Sequence, residues 1–156
     1  TRDLVSYNTT LSACGKGKQW RAALVLFNDI GCASVKRDTV TYNTLISSYQ
    51  KSECWEAALS LFGQAKAAGL ANTITYNAAI GASGNAALWT IATGLLDEMQ
   101  SRQLTTDTIS YNAAITACGS MSRWQQALQL LDSLLCRQQT GLAAITTVTC
   151  TAAVTA

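Results

Sequence analysis

Apolar side chains recur along this chain in two alternating helical stretches. Tyr42, Ile46 and Tyr49 stand at i, i+4 and i+7, as do Tyr7, Leu11 and Cys14, so one face of a helix of about twelve residues is apolar. A short polar or glycine-containing break follows, seen as GKGKQ, KSEC, GNAAL and GSMSR. A tryptophan then opens a second apolar stripe in WRAALVLFNDI, WEAALSLFGQA, WTIATGLLDEM and WQQALQLLDSL. The predicted unit is helix, turn, helix.

That unit returns at a fixed period. Tyr-Asn pairs begin at Tyr7, Tyr42, Tyr76 and Tyr111, spaced by 35, 34 and 35 residues. Trp20, Trp55, Trp89 and Trp124 each follow their tyrosine by 13 residues, and Ala23, Ala58, Ala92 and Ala127 follow each tryptophan by three. Different residue types holding one phase mark true repeats. A fifth copy begins at TVTCTAAV, residues 147–154, with Cys150 and Thr151 in the Tyr and Asn places. Tyr111 to Cys150 spans 39 residues, and RQQTGLAAIT accommodates the extra length. The chain stops at Ala156, inside what would be another first helix, which predicts a longer array.

Neither helix of a unit buries its stripe alone, so neighbouring pairs must stack. The expected fold is an all-α, right-handed α-solenoid with one helix layer on its concave side. The chain has no proline to break these helices. Gly81 and Gly94 fall inside the third unit's helices. Each costs up to about 1 kcal/mol relative to alanine, which predicts that this unit is the least stable. The tryptophans, in phase with packing Ala and Leu, are expected in the core rather than as base-stacking platforms.

Composition narrows the class. Apolar residues make up 49% and charged residues 13%, which excludes a disordered chain. No uninterrupted apolar run is long enough to span a membrane, so no membrane partner is expected. Thr1 opens on TRDLVSYN, with neither a signal-peptide core nor an Arg-rich transit segment. The net charge of +2 says little about partners, but Lys16, Lys18, Arg21, Lys36 and Arg37 place five of the 11 cations in the first unit. Such a cluster serves equally as a solvated turn or a phosphate-contacting patch.

The six cysteines never form C-x-x-C and the chain has no histidine, so neither a bound metal nor a zinc deaminase site is expected. The nine acidic residues are scattered with no convergent pair, which argues against an enzyme and against any cofactor. Cys14 and Cys118 occupy equivalent places and read as small helix-packing residues in a reducing compartment.

The repeated asparagine needs its own explanation. The residue after each tyrosine points about 100 degrees round the helix from the packed face. Asn8, Asn43, Asn77 and Asn112 therefore line one edge of the stack. Asparagine is a modest helix former, so propensity does not account for four of them. It either caps the helix and ties its first turn to the next unit, or forms a ladder of amides facing a linear polymer. Single-stranded RNA suits such a ladder, because its unstacked bases expose hydrogen-bonding edges.

The period near 35, the VTYNTLI opening and the EAALSLFGQAKAAGL second half, ending in Gly-Leu, together resemble the pentatricopeptide repeat family. The likeness covers residues 4–146 as repeats 4–38, 39–72, 73–107 and 108–146, with 147–156 as a partial fifth. Tetratricopeptide repeats share the period and the helix pair but lack the Tyr-Asn opening. The resemblance implies a noncatalytic reader of single-stranded RNA, one base per repeat. It also implies that the asparagine acts with the last residue of its repeat: Asn8 with Asp38, Asn43 with Asn72, Asn77 with Asp107 and Asn112 with Thr146. In the family, Asn with Asp reads uridine and Asn with Asn favours cytidine over uridine, so the implied target is U-C-U-pyrimidine.

By the same resemblance Val5, Val40, Ile74, Ile109 and Val148 are clamps on either side of a base, although plain packing at the helix entry explains them equally well. Lys16 and Lys51 match a phosphate-contacting place that Asn85 and Ser120 fill in the later repeats. Work on mitochondrial or chloroplast transcripts is implied by the family alone. The competing expectation is a tetratricopeptide-like scaffold that holds protein partners.

Overall fold

A computed structural model of the chain describes residues 4–32, 37–86, 88–119 and 123–138. Eight helices and no strand occur among these residues. They are α1 (Leu4–Lys16), α2 (Trp20–Cys32), α3 (Thr39–Lys51), α4 (Trp55–Ala67), α5 (Thr73–Asn85), α6 (Trp89–Ser101), α7 (Thr108–Gly119) and α8 (Trp124–Gln138). Each even-numbered helix begins at one of the tryptophans, where the sequence pattern puts it. The chain is an α-solenoid of helix-turn-helix repeats.

The first helices of the later repeats are started by the residue just before them. Asp38 has extended backbone, and its carboxylate accepts the Thr41 N–H, capping α3. Asn72 caps α5 through a reciprocal box: its side chain accepts the Thr75 N–H while its own N–H donates to the Thr75 hydroxyl. Such caps satisfy donors that a helix start leaves without intrahelical partners.

Turns within and between repeats use left-handed backbone at repeating places. Lys18 (φ 55°) and Glu53 (φ 60°) join the helices of the first two repeats; Gly69 (φ 70°) and Gln103 (φ 57°) follow α4 and α6. After the latter two, the N–H groups of Leu70 and Leu104 each donate at 2.9 Å, to the carbonyls of Ala65 and Met99. That closure ends a helix when one residue adopts positive φ, and glycine takes it without strain. After α2 an arginine does part of this work: Arg37 donates from Nη2 to the Phe27 carbonyl and lies 4.0 Å over the Phe27 ring.

Two layers result. α1 packs on α3, α3 on α5 and α5 on α7, forming a continuous row. α2, α4 and α6 each sit across their own partner and the next helix of that row. Ala23, Ala58, Ala92 and Ala127 are all fully buried, so the third marker of the period lies where helices meet most closely. Aromatic edges join the layers: Phe27 meets Tyr42 at 5.4 Å and Phe62 meets Tyr76 at 4.9 Å between ring centroids.

α5 packs against α3, α4, α6 and α7. Every residue from Ala78 to Gly84 is buried, and a side chain at Gly84 would meet the Ala113 carbonyl oxygen at 3.0 Å. The small residues of this helix permit close approach of the row.

The tryptophans depart from the expected core position. Trp20, Trp55 and Trp89 are half-buried against the core, and Trp124 is 53% exposed. They open the outer helices and cover the core from its flank. Cys118 is buried and Cys14 half-buried, in keeping with packing roles. No helix among the described residues is long and apolar enough to cross a membrane.

Candidate nucleic-acid interface

The asparagine ladder lies on the helix row, and in three repeats it is tied directly to the repeat-ending residue. Asn8 Nδ2 donates to Asp38 Oδ1 at 3.3 Å and faces Oδ2 at 3.5 Å. Asn43 Nδ2 donates to Asn72 Oδ1 at 3.3 Å. Asn77 Nδ2 lies 3.3 Å from both oxygens of Asp107. The members of each pair are 29 or 30 positions apart in the chain. They meet because the residue just before a helix of the row caps it, and that helix stacks beside the one bearing the asparagine.

The alternative of asparagine as helix cap is thereby separated from the ladder. Capping falls to Asp38 and Asn72, while Asn8 and Asn43 stand one turn into their helices. Asparagine does tie its turn to the neighbouring repeat, through these hydrogen bonds.

A third side chain completes each group. The hydroxyl of Thr41, fully buried, lies 2.8 Å from Asn8 Oδ1 and 2.7 Å from Asp38 Oδ1. Thr75 relates in the same way to Asn43 and Asn72, and Ser110 to Asn77 and Asp107. These residues were not among the candidates. The signal was present: Ser6, Thr41, Thr75 and Ser110 each directly precede the tyrosine of their repeat.

The electrostatics of the first group follow from its bonds. Burial alone would raise the Asp38 carboxyl, but the Thr41 hydroxyl and N–H and the Asn8 amide hold it below the ordinary carboxylate range. Asp38 is therefore an anion that accepts and never donates at neutral pH. Asn72 differs, because its Oδ1 is turned towards Asn43 and Thr75 while its amide nitrogen remains a donor.

The proposed clamps are exposed rather than packed. Val5 is 74% exposed, Val40 54%, Ile74 59% and Ile109 65%. Burial at the helix entry therefore does not account for four branched apolar residues there. Lys16 and Lys51 are exposed and border one open cleft of about 270 Å³ that also includes Asn43 and Ile74. Asn85, in the third repeat's corresponding place, instead donates to the Gln50 carbonyl. Thr146 and Val148 lie outside the described residues, as does the partial fifth repeat, and Asn112 is placed on α7. Among the described residues no three His, Cys, Asp or Glu side chains converge as metal ligands.

The PPR repeat profile matches the chain four times, over residues 5–33, 40–70, 74–104 and 109–138. The chain belongs to the PPR repeat family. A search of curated protein sequences found no significant match. Among solved structures, the crystal structure of the maize pentatricopeptide repeat protein PPR10 in complex with an 18-nt psaJ RNA element is similar, with a TM-score of 0.73 and 21% identity. The alignment covers 92% of this chain and 21% of the PPR10 chain. A cysteine-to-serine variant of PPR10 with the same RNA element gives the same values. The likeness establishes the shared solenoid fold, of which this PPR chain spans a short section.

Proposed function

We propose that this PPR array binds single-stranded RNA, one nucleotide per repeat, with preference for U-C-U-pyrimidine, and catalyses no reaction. Its units are repeats 4–38, 39–72, 73–107 and 108–146 with a partial fifth, and its setting is organellar transcript processing, stability or editing. The carrying observation is the direct hydrogen bond between ladder asparagine and repeat-ending residue in three successive repeats. Family membership and the RNA-bound PPR10 structures support the class of ligand.

The chemistry supports the base order. A carboxylate at Asp38 and Asp107 suits the N3–H of uridine, directly or through water, because it can only accept. The Asn72 amide nitrogen is a donor and suits the N3 acceptor of cytidine. Val5, Val40, Ile74 and Ile109 offer apolar surface to the faces of the bases, and Lys16 and Lys51 offer charge to phosphates. With so few cations the affinity is modest and falls with salt.

Fluorescence anisotropy tests this with labelled RNA containing U-C-U-U, a purine-substituted RNA and the matching DNA. Tighter binding of the pyrimidine RNA is expected. Equal binding of all three contradicts the base preference, and binding of none by a chain whose circular dichroism is helical favours a protein-binding scaffold.

A further inference from the structure

We propose that the buried hydroxyl at the third place of the following repeat is a positioning residue of each base reader, so that base choice in one repeat depends on the next. Thr41 serves the Asn8–Asp38 pair, Thr75 the Asn43–Asn72 pair and Ser110 the Asn77–Asp107 pair. This rests on the reading of those pairs as base-reading.

The chemical problem is that an asparagine amide is ambiguous. Beside a repeat-ending residue that meets N3, its nitrogen can donate to uridine O4 or its oxygen can accept from cytidine N4. The two pairings differ by which end of the amide faces the base and by the amide's placement along the base edge. Whatever fixes that placement and the amide's orientation therefore sets the discrimination. The repeat-ending residue holds the nitrogen side, through Asn8 Nδ2 to Asp38, Asn43 Nδ2 to Asn72 and Asn77 Nδ2 to Asp107. The oxygen side is held by the hydroxyl, which donates to Oδ1 of Asn8, Asn43 and Asn77.

Two features single out this hydroxyl from ordinary capping. It is fully buried in all three groups, so water does not replace it. It also carries one proton between two acceptors, the asparagine oxygen and the repeat-ending oxygen, in every group. When a base donates to one acceptor, the hydroxyl proton is available to the other. The group thus accepts a base N–H without leaving either acceptor unpaired. Serine at position 110 and threonine at 41 and 75 share the hydroxyl and not the methyl, so the oxygen is the feature in common.

The test measures anisotropy with two RNAs that differ only by cytidine or uridine opposite the second repeat, for the unsubstituted chain, Thr75→Val and Thr75→Ser. A second pair differing opposite the third repeat is used with Ser110→Ala, which adds no volume and remains informative should Thr75→Val unfold. Thr75→Val and Ser110→Ala are expected to lower the cytidine/uridine discrimination at the preceding repeat, whose pair each serves, by about five- to tenfold, the equivalent of one hydrogen bond. Thr75→Ser is expected to retain it. A residue that only caps the helix would lower the thermal midpoint and leave the discrimination ratio unchanged. Folded, RNA-binding variants with unchanged ratios overturn the positioning role while leaving the RNA-reading assignment standing. An unsubstituted chain that does not discriminate at either position overturns both.

Discussion

Asn77 and Asp107, 30 positions apart, lie with the amide nitrogen 3.3 Å from each carboxylate oxygen. The pair is accessible, and Asp107 is also held by the N–H and hydroxyl of Ser110. Removing the amide therefore leaves no buried charge without a partner. Asn77→Ala is expected to lower affinity for U-C-U-U RNA by about tenfold and change stability by less than about 1 kcal/mol. Anisotropy and thermal unfolding on the same samples separate the two effects.

Period, helix pairing and ladder were legible because each is a local pattern. Tyr7, Tyr42, Tyr76 and Tyr111 are buried as their spacing implies, and every second helix begins at its tryptophan. The half-burial of Trp20, Trp55 and Trp89 was not legible, because phase with packing residues does not distinguish the middle of a core from its flank. Thr41, Thr75 and Ser110 escaped notice for another reason. Their partners are asparagines 32 or 33 positions earlier, in another repeat, so the contact exists only once the repeats stack.

The glycines of the third repeat separate into two kinds. Nothing approaches a side chain built at Gly94, so Gly94→Ala is expected to raise stability by about 0.5–1 kcal/mol through lost unfolded-state freedom. Gly84 faces the Ala113 carbonyl, which is backbone and yields little. Gly84→Ala is expected to lower stability by about 1–3 kcal/mol. Denaturant midpoints of the two variants check the opposite signs.

Acid is expected to loosen the array through two carboxylates. Glu98 lies 2.6 Å from Lys66 and 2.9 Å from Arg102, and Lys66 holds its carboxyl below the ordinary value. Glu98 in turn acts with burial to push the Tyr76 hydroxyl up to about 12. Asp38 is likewise lowered. Unfolded, these acids titrate near the ordinary 3.8 for Asp and 4.5 for Glu. Their stabilisation is complete above those values and is lost as pH falls through the lower folded ones. Thermal midpoints from about pH 6 down to about pH 2.5 are expected to fall less steeply in Asp38→Asn with Glu98→Gln than in the unsubstituted chain. Parallel curves would contradict this.

The central claim, that the repeat-ending residue chooses the base together with the asparagine it holds, is tested most directly by Asn72→Asp. This exchanges a donor for an acceptor and keeps the oxygen that caps α5. With RNAs differing only at the second nucleotide, anisotropy is expected to show the cytidine/uridine affinity ratio moving about tenfold towards uridine, with the other positions unaffected. An unchanged ratio in a folded, RNA-binding variant would contradict the assignment of this pair as the reader.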